Sequence, residues 1–302
     1  MGRLTSKYDS TLFLRVGGKN DTEQLFKSNQ VRFGCPANWL WDAIKEKNQS
    51  IGDVYECVFA HLLKSDPRIE SEKDVMGKPM GDNLLVSNST NGIDCLLRYI
   101  PTILIPTACF YSIDIGKVRK KRSDFGDRIL FDLDLYRSDM GYKEEDASFL
   151  FITRPKRFLE ELKASIPQAV KNNMNKLTDQ RFYGTFNPDE PVFSNTVDYS
   201  RHKKSELFYD NPGSFEEIFW KMPDYDYQSE VRVIIPNINF TQTFDAVHYD
   251  KYENSLLVEL PYLKEYAKVY PAKDAHTLIF ENFDDRQGTM DFSISPKRIT
   301  QF

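Results

Sequence analysis

Apolar and polar residues alternate over short stretches that recur along the whole chain. In residues 30–35 the side chains of Val31 and Phe33 fall on one face of an extended segment, and Arg32 falls on the other. This period of two is typical of half-buried β-strands. We predict strands at residues 11–16, 30–35, 102–113 (a pair interrupted at Pro106), 128–136, 148–153, 196–199, 230–235, 256–260, 277–280 and 290–294.

Helical spacing of apolar residues is concentrated in the first third and the middle of the chain. It predicts helices at residues 22–28, 38–47, 53–64, 93–99, 155–165, 168–177 and 215–221. Strands and helices do not alternate, which favours an α+β fold with a mostly antiparallel sheet core over a doubly wound α/β fold. We find no repeat and no linker, so we expect a single domain over residues 1–302, with the polar segment 65–91 as a long surface loop.

Composition fits a globular protein that needs no metal. Of the 302 residues, 40% are apolar and 28% are charged, and the net charge of −5 gives no global reason to bind nucleic acid. The four cysteines form no CxxC pair and there are only four histidines, so we expect no metal site. Sparse cysteines, no apolar leader and no apolar run of ~18 residues favour a cytoplasmic protein without membrane contact.

Several common enzyme motifs are absent, and one basic run is present. The chain has no GxxxxGK[ST] or GxGxxG phosphate loop, no HExxH motif and no GxSxG elbow. Residues 117–122 read KVRKKR, in which Lys120, Lys121 and Arg122 could contact a phosphate or RNA. A solvated hairpin turn is the alternative interpretation of this run.

The stretch with the most chemical information is residues 219–235. A turn rich in aromatic and acidic residues leads into an apolar strand that opens with polar side chains. By the period of two, Gln228, Glu230 and Arg232 share one face of this strand. Val231 and Val233, together with Ile235, take the core face.

Gln228-Ser229-Glu230 at the start of a strand resembles the catalytic Q-x-E turn of ADP-ribosyltransferases. The chain is also similar to an uncharacterised bacterial domain family often found near phage-defence genes. That family combines an N-terminal strand, a helix and an xxFxxP turn with a late K…Y-x-x-E-x-R strand. Residues 31–36 (VRFGCP) and the segment from Phe219-Trp220-Lys221 to Arg232 carry the likeness here, although residues 38–42 read NWLWD where the family has Asn-Asp-Pro.

The resemblance implies an ADP-ribosyltransferase-like fold that uses NAD as a substrate. Cleavage of the nicotinamide–ribose bond passes through an oxocarbenium-like state, which the carboxylate of Glu230 would stabilise while Gln228 positions the acceptor. Arg15 would hold the pyrophosphate of NAD, Tyr227 would stack on the nicotinamide ring, and Ser112 would supply a polar group in the middle of the sheet. We therefore expect Arg15 and Glu230 to face one pocket.

Simpler interpretations of the same residues stay open. Glu230 and Arg232 could form a solvated strand face with a cross-strand salt bridge, and Arg15 could be the outward residue of an edge strand. Trp39 and Trp41 could anchor the core or a loop instead of stacking on a nucleotide. If Glu230 is a surface catalytic carboxylate, Glu230→Gln should abolish activity and change stability by under ~0.5 kcal/mol.

Two classes of function follow from these features. The first is an ADP-ribosyltransferase-like effector or toxin that transfers ADP-ribose from NAD to a nucleic acid or protein, for example in anti-phage defence. The alternative is a non-catalytic module that senses a phage protein or a nucleotide, or a toxin–antitoxin partner protein. An effector of the first class would have an inhibitory or antitoxin partner.

Overall fold

The computed structural model describes residues 11–44, 55–67, 84–88, 93–114, 129–130, 144–179, 190–200, 216–221, 223, 226, 229–241, 255–273, 278–281 and 293–296. The helices in these ranges are α1 (Lys19–Lys27), α2 (Pro36–Ile44), α3 (Ile100–Ile103), α4 (Pro155–Asn172) and α5 (Leu263–Tyr266). Short 3-10 helices span Glu144–Asp146 and Glu216–Phe219.

Sixteen strands lie in the same ranges. They are β1 (Thr11–Gly18), β2 (Gln30–Phe33), β3 (Ala60–Leu63), β4 (Leu84–Asn88), β5 (Asp94–Tyr99), β6 (Thr107–Asp114), β7 (Ile129–Leu130), β8 (Ala147–Ile152), β9 (Leu177–Asp179), β10 (Phe193–Thr196), β11 (Glu230–Ile234), β12 (Ile238–Phe240), β13 (Leu256–Glu259), β14 (Ala267–Pro271), β15 (Leu278–Glu281) and β16 (Ser293–Pro296).

The largest sheet has six strands in the order β10–β11–β6–β1–β8–β14, and every neighbouring pair in it is antiparallel. Its register places Leu14 of β1 opposite Tyr111 of β6, and Tyr111 opposite Glu230 of β11. The prediction of an α+β fold with a mostly antiparallel sheet core is confirmed.

One face of this sheet packs against α4. The helix buries Phe158, Leu162, Ile166 and Ala169, which recur at helical spacing along one side. The ring of Phe158 lies 5.3 Å from that of Phe110 in an edge-to-face contact, so helix and sheet interlock through aromatic side chains. Predicting a break near residue 166 was wrong: α4 continues through Pro167, and Ile166 and Ala169 on either side of it are buried in the main core.

A second antiparallel pair closes the same core. In the β2–β13 ladder Val31 lies opposite Val258 and Phe33 lies opposite Leu256, and all four side chains are buried in the main core. The predicted core face of residues 30–35 is therefore confirmed.

Three antiparallel strands, in the order β3–β5–β4, form a separate small sheet with its own core. Phe59 and Leu97 are fully buried there, and Trp220, which precedes β11 in the chain, packs into the same cluster. This cluster brings the segment before β3 close to the segment before β11.

Three predictions in this region were wrong. The segment predicted as a helix at residues 53–64 is a turn followed by β3 over its described part, and residues 93–99 form β5 instead of a helix. Residues 84–88, inside the predicted loop 65–91, form β4. The apolar runs of the two segments predicted as helices suit a buried strand as well as a helix. The pairing of β3 and β4 with β5 stabilises the strand form.

The helices of the described ranges include none long and apolar enough to cross a bilayer.

Candidate functional site

Arg232 in β11 lies at the centre of a buried group of charged side chains. Strand alternation sends Val231 and Val233 into the main core and turns Arg232, which is 0% exposed, to the other face. Its Nε donates to Oε1 of Glu230 at 2.7 Å. Its terminal nitrogens donate to both oxygens of Glu56, one of them at 3.1 Å, and to the carbonyl of Ile218. A planar guanidinium held in this way is a strong, directional carboxylate ligand.

Lys221 completes an ion cluster that consists of Glu56, Lys221, Glu230 and Arg232. Its Nζ lies 2.8 Å from Oε2 of Glu230, so two carboxyl groups face two basic side chains. Burial raises the pKa of Glu56 above its ordinary value, and the positive charges of Arg232 and Lys221 oppose this rise. The exposed fraction of the side chain rises from 0% for Arg232 and 1% for Glu56 to 6% for Glu230 and 11% for Lys221. Glu230 and Lys221 therefore form the outer end of the cluster.

Both members of the outer pair are held in their charged forms. Burial alone would raise the pKa of Glu230, but the positive charges of Arg232 and Lys221 outweigh it and hold this pKa well below its ordinary value. Burial alone would lower the pKa of Lys221, and the carboxylate of Glu230 raises it above the ordinary value instead. The contacts of Glu230 with Arg232 and Lys221 therefore favour its carboxylate form at neutral pH.

Glu56 reaches the cluster from a distant part of the chain. It lies in a turn just before β3, where the next residue, Cys57, has a positive φ of 55°. The backbone carbonyl of Glu56 accepts a hydrogen bond from Nε of the buried Arg98 in β5 at 2.8 Å. The small β3–β5–β4 sheet thus holds Glu56 against β11.

Backbone contacts fix the point at which β11 begins. Ser229 has φ of 42°, a conformation that non-glycine residues rarely adopt and that often occurs at functional sites. Its carbonyl accepts a hydrogen bond from the N–H of Ser112 at 2.8 Å. The N–H of Glu230 donates to the hydroxyl of Tyr199 at 3.0 Å, and its carbonyl accepts from the N–H of Val197 at 2.9 Å. The carboxylate of Glu230 therefore projects from a clamped backbone.

Trp39 and Cys109 line the cluster. The ring of Trp39, in α2, lies 5.3 Å from Cζ of Arg232, a cation–π contact that satisfies a face of the guanidinium no hydrogen bond can use. Cys109 lies opposite Arg232 in the β6–β11 ladder. Burial, followed by the charge of Glu230, raises the pKa of the Cys109 thiol well above its ordinary value. Trp39 thus packs against the guanidinium of the ion cluster.

Two buried thiols give a check on this packing. Cys35 and Cys57 are both 0% exposed. Burial raises the pKa of Cys35 to about 12 and that of Cys57 well above its ordinary value, so neither is a thiolate near neutral pH. In the native protein at pH 8 both should resist iodoacetamide, and both should be alkylated in denaturant, as peptide mass spectrometry would show. Rapid native alkylation of either thiol would contradict this packing.

The expectation that Arg15 and Glu230 face one pocket is wrong. Leu14, Tyr111 and Glu230 lie in one row across three strands and share a face of the sheet. Arg15 follows Leu14 directly and so projects from the opposite face. There its guanidinium donates to the carbonyl of Arg32 at 2.7 Å and ties β1 to β2. β1 is also an interior strand, so the interpretation of Arg15 as the outward residue of an edge strand is wrong as well.

Ser112 is next to the site only through its backbone. It lies opposite Phe13 in the β1–β6 ladder, and alternation places its side chain on the face opposite that of Tyr111 and Glu230. Gln228 and Tyr227 lie outside the described residues, as do Lys120, Lys121 and Arg122.

The interpretation of Glu230 and Arg232 as a solvated strand face is wrong, because they are 5% and 0% exposed. The expectation that Glu230→Gln would leave stability almost unchanged also rested on surface exposure. Lys221, Glu230 and Arg232, the three charged residues of the K…Y-x-x-E-x-R pattern, do meet in space. Glu56 was missed, since its segment was assigned to a helix and gave no local signal.

Comparisons with protein-family models, with curated proteins and with solved structures found no match to this chain. Within the described ranges, no group of three or more His, Cys, Asp and Glu side chains is placed to hold a metal ion. The site offers a carboxylate that is paired with a lysine at the start of β11 and favoured in its ionised form.

Proposed function

We propose that this protein is an ADP-ribosyltransferase-like enzyme that consumes NAD and transfers ADP-ribose to a nucleic acid or protein. Glu230 is the residue on which the proposal depends. It has the position in the chain that the Q-x-E resemblance assigns to the catalytic carboxylate, and it lies at the outer end of the ion cluster. An effector or toxin with this activity would act in anti-phage defence.

The observation that carries the proposal is the contact of the Glu230 carboxylate with two cations, Arg232 and Lys221, which favours its negatively charged form. Loss of nicotinamide leaves positive charge on the ribose ring, and a fixed anion at that point lowers the barrier. The low pKa of Glu230 suits this task better than it suits proton transfer, for which a pKa near the working pH is best. The backbone clamp of Ser229 and Glu230 also fits the preorganisation that such catalysis needs.

We assign the proposed contact with the NAD pyrophosphate to Lys221 in place of Arg15. Arg15 projects from the wrong face of the sheet, whereas Lys221 is beside Glu230. Among the four charged side chains of the cluster, Lys221 is the most exposed, at 11%. Its raised pKa keeps it cationic, as a phosphate ligand must be.

A non-catalytic binding module is the second candidate, and one observation favours it. Glu230 is only 5% exposed, and each of its carboxylate oxygens already accepts from a cation. A carboxylate saturated in this way could serve to hold β11 and the segment before it in the shape that a partner recognises. In that case the partner would be a phage protein, a nucleotide or an antitoxin.

Incubation of the purified protein with NAD separates the two candidates. We expect free nicotinamide to accumulate in proportion to enzyme concentration, as measured by chromatography. Protein heated past its unfolding temperature is the control and should release none. A folded preparation that releases no nicotinamide, with or without added nucleic acid and cell protein as acceptors, would sink the transferase proposal and leave the binding module.

A further inference from the structure

Arg232 divides its hydrogen-bond donors between two carboxylates. This division gives Glu56 a specific role. A guanidinium can bind a carboxylate through its terminal nitrogens or along the edge that includes Nε. Glu56 occupies the terminal nitrogens with both of its oxygens. Glu230 receives Nε alone, through Oε1 at 2.7 Å, and its Oε2 stays with Lys221 at 2.8 Å.

Removal of the Glu56 carboxylate would upset this division. The terminal nitrogens of Arg232 would be left buried without a carboxylate, which is costly. Glu230 is two residues away on the same strand and already within 2.7 Å of Nε, so it is the nearest replacement. A bidentate contact with Arg232 would then draw Oε2 of Glu230 inward, away from Lys221.

Glu56 can act in this way because its backbone is also held by contacts outside β11. Glu56 and Arg232 are 176 positions apart in the chain. Its carbonyl is held by Arg98 of β5, and its neighbours Val58 and Phe59 are 0% exposed in the core of the small sheet. The small sheet therefore presents Glu56 to Arg232 as a fixed group.

We propose that Glu56 is a positioning residue for Glu230: by occupying the terminal nitrogens of Arg232 it keeps Oε2 of Glu230 at the outer end of the ion cluster, where the ribose of NAD would meet it. The catalytic part of this inference rests on the proposed transferase function. The geometric part does not, since it concerns only which atoms of Arg232 contact Glu230.

The test compares Glu56→Gln, Glu56→Asp and Val58→Ala with the wild type. Glu56→Asp keeps a carboxyl group but shortens the side chain, so it allows the measurement even if Glu56→Gln does not fold. Both should lower kcat for nicotinamide release by on the order of 10- to 100-fold, as misplacement of a reacting group does. The KM for NAD should stay within about twofold, because ground-state contacts remain. Val58→Ala, which weakens the same segment without touching Arg232, should keep the wild-type kcat.

Crystal structures of the wild type and the two Glu56 variants complete the test. The inference expects the terminal nitrogens of Arg232 to turn to Glu230 in the variants. Unchanged kcat in a folded Glu56 variant, or an equal loss in Val58→Ala, would overturn the inference while the transferase function stands. If the wild type releases no nicotinamide, the function fails, and the crystal structures alone decide: an Arg232 that keeps its wild-type contact with Glu230 overturns the positioning.

Discussion

Arg232→Met should lower the free energy of unfolding by roughly 3–5 kcal/mol, the usual cost of breaking a buried ion pair by removing one partner. The substitution leaves Glu56 and Glu230 with Lys221 as the one remaining cation of the cluster. It also removes the donor to the Ile218 carbonyl and the cation–π contact with Trp39. Denaturant titration followed by circular dichroism measures the change, with the slope on denaturant checked for constancy.

A double variant provides the matched control for Arg232→Met. Glu56→Gln/Arg232→Met retains Glu230 and Lys221, which still form a neutral pair 2.8 Å apart. It should be more stable than Arg232→Met alone. In Arg232→Met the buried carboxylate of Glu56 has lost its cation, whereas the double variant lacks both groups. If Arg232→Met were within about 0.5 kcal/mol of the wild type, the range of ordinary surface substitutions, the buried ion cluster would not exist in solution.

Glu230→Gln should lower the rate of nicotinamide release by on the order of 10²–10³, the effect of losing one preorganised electrostatic group. The amide keeps the volume of the side chain and removes the charge that would stabilise the oxocarbenium-like state. Because Glu230 is buried against Arg232 and Lys221, the substitution also affects stability. The rate therefore has to be expressed per folded molecule, with the folded fraction taken from denaturation curves.

A charge-balanced variant separates catalysis from folding at this position. Glu230→Gln/Lys221→Met leaves Arg232 with Glu56 as a neutral bidentate pair, so it should fold more readily than Glu230→Gln. We expect it to stay inactive, since the carboxylate and the proposed ligand of the NAD pyrophosphate are both missing. Wild-type nicotinamide release per folded molecule in either variant would eliminate Glu230 as the catalytic carboxylate.

The local predictions that succeeded are those in which one face of a strand or helix is apolar over several residues. Val31 and Phe33 identified the buried face of β2, and Val231 and Val233 identified the core face of β11. The period of two is a property of the backbone itself, so it can be read without knowledge of partners. The helix predictions for residues 53–64 and 93–99 failed because apolar runs of this kind allow a helix or a strand. Pairing in the β3–β5 ladder favours the strand.

In the candidate site, too, some features follow from the local sequence pattern and others only from tertiary contacts. The sequence by itself determined that Glu230 and Arg232 share a strand face, and the K…Y-x-x-E-x-R pattern associated Lys221 with them. Tertiary structure decided that Arg15 lies on the far side of the sheet, because strand β6 separates β1 from β11 and sets the register. It also decided that this face is buried, and that Glu56, 176 residues from Arg232, supplies the second carboxylate. Periodicity assigns a side chain to one of two faces of its own strand, whereas burial and ion pairing depend on which distant segment covers that face.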